Sequence, residues 1–449
     1  MKIIRYTLKF LLGVLCLLVI VLVSTFTTID DTNYKQLPYY QTTKDNIRQL
    51  NSPIPDDTAS LKIGWAKVNF SPKTPTPTAG YGDRHGQAYT SVHDSVFVRA
   101  MVFEFGKTKA VMLSADLLII PPTVIDALKP RLAALGFDFK QLFFGATHTH
   151  NSLGAWGVGY TGELFAGKYD QNTVEHIAAS MAKAIALASK NTAEASLGYG
   201  QMYLADMMYN RLVGDKGTID PFVRILKINR KDGQKALFCT YAAHSTTLDA
   251  NKMVLSRDYP GVLIDSLENH DANFAMFMAG AVGSMGPLEE AKDDYEQMRN
   301  EAAGIQIELE KNLVRVPLAK PHSLGISHIA LGLREPHARI SESIRFRPWA
   351  FHFLFGDYPA DIKAISLGNT LIVGLPCDFS GEFMAELTAF AQSKNKNLII
   401  TSFNGGYIGY ITPDKYYNLD SYETRTMNWF GPQNGEYFKE IIKDLIVKL

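Results

Sequence analysis

A short apolar segment that ends in two histidines constrains this chain more than any other feature of its sequence. Residues 141–150 read QLFFGATHTH, in which LFF is typical of a buried strand and a small Gly–Ala step precedes His148 and His150. Because side chains alternate along a strand, an HxH pair at its end would present both imidazoles to the same side. Imidazole is the commonest neutral metal ligand and titrates near neutral pH. The segment therefore predicts one metal ligand and one acid/base group, the alternative being a histidine pair that only caps a loop.

Three further strand-like runs also end in residues that can bind a metal. The run ALFCTYAA leads into His244, the motif PCDF supplies Asp378, and NGGYIGYIT brings the tyrosine pair Tyr407 and Tyr410. Two histidines, a carboxylate and a phenolic oxygen are a donor set that zinc accepts, with room for water. The four strand ends together therefore predict a metal site.

The order of these runs predicts the fold class. Strand-like runs alternate with helical ones, such as the amphipathic segment 172–190. This alternation is typical of an α/β sheet, in which sites gather at the carboxyl ends of the strands. Asp116 also lies at such an end. We expect a single large catalytic domain over residues 61–449, built from mixed β-sheets with surrounding helices.

The N-terminus predicts attachment to a membrane. Residues 1–30 place three basic side chains ahead of an apolar run that begins at Phe10 and ends near Val23. The run is at the short end for a membrane span and long for the core of a signal peptide. Basic residues ahead of a span keep the N-terminus cytoplasmic. We therefore expect an uncleaved signal anchor, with a cleaved signal as the alternative, and in both cases a periplasmic or extracellular remainder. Residues 31–60 are polar with scattered prolines and predict a linker.

Composition excludes several other classes of protein. The formal net charge is +0, which argues against a nucleic-acid-binding surface. The three cysteines lie far apart in the sequence and form no CxxC pair. They therefore predict neither a disulfide framework nor a zinc ribbon.

The same motifs resemble those of a known family, the neutral (non-lysosomal) ceramidases. THTH followed by a Gly-rich loop is similar to that family's THTHSGP signature, and PCDF is similar to its PGEF. The resemblance extends to Asn210-Arg211, to YxxH at Tyr241–His244, and to GYIGYIT before Tyr422. These motifs arrive in the family's order and cover most of residues 61–449.

The resemblance implies a role for each matching residue. It implies one zinc ion per chain, held by His148, His244, Asp378 and Tyr410. Carried over in the same way, His150, Arg211 and Tyr422 handle the substrate's carbonyl and polar head. Ser284 completes the predicted catalytic set as a possible replacement for the family's nucleophilic serine. The implied reaction is hydrolysis of the amide bond in an N-acyl lipid such as ceramide. Zinc suits this chemistry because it acidifies water and polarises a carbonyl.

Two departures from the family's pattern affect these roles. The family's glutamate ligand is Asp378 here, one methylene shorter, and Glu382 is a possible substitute one helical turn on. The family's serine lies in GDVSP, whereas this chain reads GSMGP, with Ser284 at the aspartate position and Gly286 at the serine position. The nucleophile is therefore either Ser284 or a water molecule activated by the metal.

These observations predict a membrane-anchored zinc amidase acting on ceramide or a related N-acyl lipid. Two alternatives remain open. One is a zinc hydrolase acting on a different amide or on an ester. The other is a catalytically weak lipid- or glycan-binding relative, which the displaced serine favours and the complete donor set opposes.

Overall fold

The computed structural model describes residues 2–357 and 359–449; Met1, the first residue of the predicted anchor, and Tyr358 lie outside the described part. The helices are α1 (Lys2–Thr25), α2 (Pro38–Arg48), α3 (Pro122–Leu132), α4 (Gly159–Ala166), α5 (Gln171–Ser189), α6 (Asp258–His270), α7 (Asp294–Leu313), α8 (Pro348–Phe355), α9 (Met384–Ser393) and α10 (Asn434–Lys448).

The strands of the first half are β1 (Phe26–Thr28), β2 (Lys62–Asn69), β3 (Thr78–Ala79), β4 (Ser91–Val92), β5 (Phe97–Phe105), β6 (Thr108–Ala115), β7 (Leu142–Ala146), β8 (Ser152–Leu153), β9 (Ala193–Tyr203), β10 (Met208–Asn210), β11 (Phe222–Arg230) and β12 (Lys235–Tyr241). Those of the second half are β13 (Val254–Leu255), β14 (Phe274–Ala279), β15 (Met285–Pro287), β16 (Leu324–Ala330), β17 (Ile344–Phe346), β18 (Asp361–Leu367), β19 (Thr370–Gly374), β20 (Asp378–Phe379), β21 (Asn397–Thr401) and β22 (Tyr410–Ile411).

The larger sheet has eight strands in the order β14-β12-β11-β9-β2-β5-β6-β7. Its pairs are mixed: β5 and β6 are antiparallel, while β6 with β7 and β12 with β14 are parallel. The sequence of β5, FVRAMVFEF, buries both of its faces, with Val98 and Val102 in one apolar cluster and Met101 and Phe103 in another. A strand buried on both sides needs apolar residues at consecutive positions, as this one has.

A second sheet packs face to face against the first. It has four strands in the order β16-β18-β19-β21, and its Ile365, Ile372 and Ile399 share one apolar cluster with Met101 and Phe103. Helices α3, α5, α6 and α7 cover the outer face of the larger sheet, and α2, α9 and α10 cover that of the smaller one. The predicted fold class, a mixed α/β fold with surrounding helices, is confirmed.

The N-terminal segment differs from the predicted linker. Residues 31–60, predicted as a linker, contain α2, which packs against α10: the hydroxyl of Tyr40 in α2 donates to Glu440 at 2.6 Å, and that of Tyr34, in the turn before α2, donates to Glu440 at 2.9 Å. Ahead of it, β1 pairs antiparallel with β17. In α1 the span Ile3–Thr25 is long and apolar enough to cross a membrane and is not buried, although a signal sequence has the same properties.

Two strands of the larger sheet meet where the site forms. Gly145 in β7 lies so close to β14 that a Cβ atom there would be 2.3 Å from Met278 Sδ. One strand away, the Ser114 hydroxyl donates to the Phe277 carbonyl at 2.5 Å. The carboxyl ends of β7, β12 and β14 are thereby brought together, and the amide of Ser402, just after β21, donates to the carbonyl of Ala279 at 2.9 Å. Residues that follow four different strands therefore converge at one place.

Candidate active site

His148 lies in a tight turn directly after β7. Its φ is +63°, and the turn is held by hydrogen bonds from the amides of Thr147 and His148 to the carbonyls of Ala115 and Leu117, both at 3.0 Å. A left-handed conformation at a non-glycine residue costs on the order of 1–3 kcal/mol and marks functional sites more often than other positions. Strand β7 ends at Ala146, so strand alternation does not determine where His148 and His150 point. The turn determines it instead.

The two metal-binding histidines predicted from the sequence face each other. His148 Nδ1 lies 2.7 Å from the carbonyl of Leu118, and His244 Nδ1 lies 3.2 Å from that of Val282. Because a carbonyl only accepts, each Nδ1 carries the ring proton and each Nε2 carries a lone pair. The two Nε2 atoms are 2.8 Å apart. Two lone pairs at this distance repel each other unless a proton or a cation lies between them.

Asp378 completes this arrangement from the opposite side. Its Oδ1 lies 3.7 Å from His148 Nε2 and 3.8 Å from His244 Nε2, and it is buried without a hydrogen-bond partner in the described chain. Ligands at 2.0–2.1 Å from a tetrahedral ion are separated by about 3.3 Å, a value that the three observed separations bracket. The residues present therefore fit a zinc ion, and the shorter aspartate reaches the site in place of a glutamate.

Two tyrosines border Asp378 and fix the oxygen side of the site. Tyr407 donates its hydroxyl to Asp378 Oδ2 at 2.7 Å. Tyr410 is the neighbour of Asp378 in the parallel pair β20–β22, and its hydroxyl accepts from Arg211 Nη2 at 2.8 Å. Arg211 Nε also lies 3.0 Å from Glu423 Oε1. The guanidinium therefore links the predicted fourth ligand to a second carboxylate.

Burial sets the charge states of the site before any cation binds. Burial lowers the pKa of His148 to about 3. Burial, with help from neighbouring histidines and Arg211, holds the pKa values of His150 and His244 well below the usual range. Burial also raises the pKa of Asp378 to about 7, against the lowering effect of the bond from Tyr407. Neutral imidazole is the form that binds metal, and a bound cation would return the carboxyl to its charged form.

His150, the predicted acid/base group, lies beside the two ligands. Its Nε2 is 3.4 Å from His148 Nε2, and its Nδ1 is buried without a partner in the described chain. Its ring packs on that of Tyr81, with centroids 4.8 Å apart. The nitrogens of His148, His150 and His244 all lie within 4.8 Å of one another, so this histidine cluster alone can hold a metal ion.

A mostly apolar cavity opens onto these residues. Its lining residues are Gly80, Leu118, Ile119, His148, His150, Trp156, Thr161, Gly162, Phe165, Phe355, Asp378, Tyr407, Tyr410, Tyr422, Met427 and Trp429. The polar groups gather at one end and apolar side chains form the rest of the wall. A cavity of this kind suits a substrate with a long apolar chain and one polar reacting group.

Ser284 is brought close to the site but is not among the residues that line the cavity in the described chain. Its side chain is fully buried, its hydroxyl contacts that of Ser380, and its carbonyl accepts from the amide of Arg211 at 2.9 Å. The preceding Gly283 packs so tightly that a Cβ atom would be 2.4 Å from the carbonyl of Asp378. These contacts position the segment that carries Asp378.

Two other carboxylates considered from the sequence have different partners. Asp116 accepts from the amide of Phe97 at 2.7 Å and pairs with Arg99 at 3.3 Å, both side chains being buried. The Glu382 carboxylate lies 3.4 Å from the hydroxyl of Tyr416 and 3.7 Å from Lys415 Nζ. Asp116 therefore stabilises the fold, and Asp378 rather than Glu382 faces the histidines.

The sequence did not predict the contacts of Tyr407 and Glu423, although it offered Tyr407 as one of a pair of possible metal ligands. Both stood in motifs singled out for another residue, Tyr410 in one and Tyr422 in the other. Spacing could not show that Tyr407 bonds to Asp378 or that Glu423 pairs with Arg211, because both contacts join segments far apart in the chain. The only sequence signal for each was that its motif contains a polar residue besides the one singled out.

Fold and site together define a class: an α/β protein with a buried His–His–Asp cluster at the polar end of an apolar cavity. The resemblance to the neutral ceramidases is confirmed, since the family model for the N-terminal part of neutral/alkaline non-lysosomal ceramidase matches residues 70–285. This range includes His148, His150, Arg211, His244 and Ser284. Asp378, Tyr410 and Tyr422 lie beyond it.

Solved ceramidase structures share the fold. The neutral ceramidase from Pseudomonas aeruginosa is 16% identical, with a TM-score of 0.77 over 87% of this chain and 74% of that one. A ceramidase complexed with C2 is 15% identical, with a TM-score of 0.75 over 86% and 75% of the two chains. No curated protein matches by sequence. At these identities the likeness concerns the fold.

Proposed function

We propose that this chain is a membrane-anchored, zinc-dependent amidase that cleaves the N-acyl bond of ceramide or a related N-acyl lipid outside the cytoplasm. The observation that carries the proposal is the meeting of two imidazole lone pairs with the unpaired Oδ1 of Asp378 at the end of an apolar cavity. The family match and the shared ceramidase fold support the amide of a lipid as the substrate.

His148, His244 and Asp378 would hold one zinc ion, with Tyr410 as a fourth donor. Zinc at this place supplies an acidified water molecule and polarises the acyl carbonyl. The chain's own residues provide the rest of the chemistry. Arg211, which donates to the Tyr410 hydroxyl, keeps that oxygen oriented toward the donor set. Tyr422, half exposed on the cavity wall, is available to the polar head of the substrate.

His150 is proposed as the group that moves the proton. Hydrolysis adds water across the amide: the hydroxide oxygen joins the acyl carbon, the C–N bond breaks, and the amine leaves with one more proton. His150 lines the cavity beside the donors and is held neutral, so it can accept the proton that water releases on attack and pass it to the leaving nitrogen. The apolar wall holds the acyl chain in the cavity and keeps bulk water away from the reacting atoms.

The test begins with the purified full-length protein in detergent. We expect one zinc per chain and release of fatty acid from an N-acyl sphingoid base. The change His150→Ala should keep the zinc and lose most of the turnover, as removal of a general acid typically costs about 10²–10⁴-fold. Loss of zinc in this variant would make His150 a ligand instead.

Substrate class is tested in parallel with N-acyl amino acids and with esters of the same chain length. If one of these compounds is cleaved faster than the N-acyl sphingoid base, that compound class is the substrate instead of the lipid amide, and the proposed zinc chemistry still holds. Stoichiometric zinc without hydrolysis of any amide or ester would favour a lipid-binding relative. Protein without zinc would contradict the metal site itself.

A further inference from the structure

Two short helices next to the cavity expose large apolar side chains. Tyr160 of α4 is 73% exposed, and Trp349 and Phe353 of α8 are 55% and 78% exposed. Single exposed apolar residues are normal, but a group of aromatic residues on adjoining helices marks an interaction surface. We call these three side chains the aromatic lip.

The helices that carry the aromatic lip are also walls of the cavity. Thr161 and Phe165 of α4 and Phe355 of α8 line it. The hydroxyl of Thr161 donates to the carbonyl of Leu354 at 2.6 Å and joins the two helices. Each helix therefore has one side facing the cavity and another exposed side carrying the lip. A molecule held against the lip lies next to the cavity opening.

The apolar helix α1 ends against α8. The carbonyls of Val23 and Ser24, in its last turn, accept from Arg347 Nε at 3.0 Å and Trp349 Nε1 at 2.7 Å. The carbonyl of Thr25 accepts from the amide of Arg347 at 2.8 Å, and β1 continues directly into its pairing with β17. The end of a membrane span is thus joined to the start of α8 without a flexible segment. Tryptophan is enriched at that depth of a bilayer.

We infer that the aromatic lip inserts into the outer leaflet of the anchoring membrane and that lipid substrate passes between α4 and α8 into the cavity. This inference rests on the proposed function for the anchor and for the lipid substrate. The aromatic lip lies at the boundary between lipid headgroups and acyl chains, where amphipathic aromatic side chains are stabilised. The anchor fixes which face of the protein meets the bilayer. The substrate then reaches the site without crossing water.

Insertion can be measured without reference to activity. Three of the four tryptophans, Trp65, Trp156 and Trp429, are buried, so the change Trp349→Phe leaves no exposed tryptophan in the described chain. In that background, Phe353→Trp reports on the lip. Val314→Trp is the matched control, since Val314 is 81% exposed and follows α7, which packs on α6 and β9.

Both variants are reconstituted as full-length protein in phosphatidylcholine vesicles with brominated acyl chains. We expect the added tryptophan at position 353 to lose most of its emission and the one at 314 to keep it. Emission at 353 that is as unquenched as at 314, in protein that resists carbonate extraction, would overturn the insertion of the lip and leave the anchor intact. Emission at 353 that is blue-shifted but unquenched would show the lip covered by protein, which also overturns the inference. Protein released by carbonate would contradict the proposed anchor instead.

Substrate delivery is tested with Tyr160→Ser and Phe353→Ser, with Val314→Ser as the control. Cleavage of a long-chain N-acyl lipid in vesicles should fall on the order of tenfold per change, because each loses the burial of one aromatic side chain in the membrane. Cleavage of a water-soluble short-chain amide should stay unchanged. Equal loss on both substrates, or loss on neither, would contradict delivery through the lip. If wild type cleaves neither substrate, the proposed reaction fails, and the fluorescence still decides the insertion.

Discussion

The histidines of the candidate site are oriented by the main chain, whereas its oxygen donors are oriented by other side chains. The Nδ1 atoms of His148 and His244 meet backbone carbonyls at 2.7 and 3.2 Å. These carbonyls belong to the segments at which strands end, so the fold itself supplies them. No further side chain has to be specified for the imidazoles to face each other.

The oxygen side depends on a small network of side chains. Asp378 is held by the hydroxyl of Tyr407, and Tyr410 by the guanidinium of Arg211. It is also the side on which this chain departs from the family, with aspartate in place of glutamate. The two imidazoles are therefore oriented by the backbone, whereas the orientation of the Asp378 and Tyr410 oxygens can be changed by single substitutions in their partners.

The largest effect is expected when the nitrogen side is removed. The double change His148→Ala and His244→Ala should abolish zinc binding and hydrolysis, because the remaining donors are too few for four-coordinate zinc. Zinc per chain is measured by atomic absorption after dialysis. His270→Ala, an exposed histidine at the end of α6, is the control and should change neither quantity. Undiminished zinc in the double variant would end the assignment of this site.

A smaller but still strong effect is expected from Arg211→Lys. One ammonium cannot replace a planar fork that reaches both Tyr410 and Glu423, so turnover should fall on the order of a hundredfold with little change in melting temperature. The control is Arg224→Lys, which disturbs a buried pair with Asp220 at 2.6 and 2.9 Å and should lower stability rather than turnover. A stability loss in Arg211→Lys, with activity per folded molecule unchanged, would show that the arginine is structural.

Part of the site was predictable from the sequence alone. That His148, His244, Asp378 and Tyr410 lie together was predictable, because the two histidines follow β7 and β12, Asp378 comes after β19, and strand ends meet at one edge of an α/β sheet. The turn at His148 was not, because a left-handed φ at a histidine has no sequence signal of its own.

Contacts between distant segments were equally hidden. Helix α2 was missed because its sequence, PYYQTTKDNIR, buries only Thr43 and Ile47, and its remaining polar residues resemble a linker. Its place in the fold depends on hydrogen bonds to α10, which no local pattern shows. The sheets and most helices were predictable because their apolar periodicity is local.

A moderate effect is expected from Tyr407→Phe, which acts on the oxygen side alone. The change removes the donor to Asp378 Oδ2 and leaves a buried oxygen unpaired, so zinc affinity should fall about 10- to 100-fold, as is usual when a partner of a metal ligand is lost. Affinity is measured by competition with a chromogenic chelator. Tyr417→Phe is the control, since the Tyr417 hydroxyl is buried without a partner in the described chain. Equal affinities in the two variants would mean that Asp378 does not depend on Tyr407.

The smallest effect is expected from Ser284→Ala, and it decides the nucleophile. The Ser284 hydroxyl is buried against that of Ser380 and outside the cavity lining, so its loss should lower the free energy of unfolding by about 1–3 kcal/mol, the range for a buried hydrogen bond whose partner is left unpaired. If water attacks the amide, turnover per folded molecule should fall by no more than about tenfold, because the hydroxyl lies outside the cavity lining and its loss acts mainly on folding. Ser380→Ala removes the other half of the same bond and should behave alike.

If Ser284 attacks instead, Ser284→Ala alone should lose nearly all turnover, and wild type should show a burst of released amine as an acyl-enzyme accumulates. An acyl group found on Ser284 by mass spectrometry would rule out direct attack by water, because a hydroxyl that only positions the neighbouring strand has no reason to be acylated.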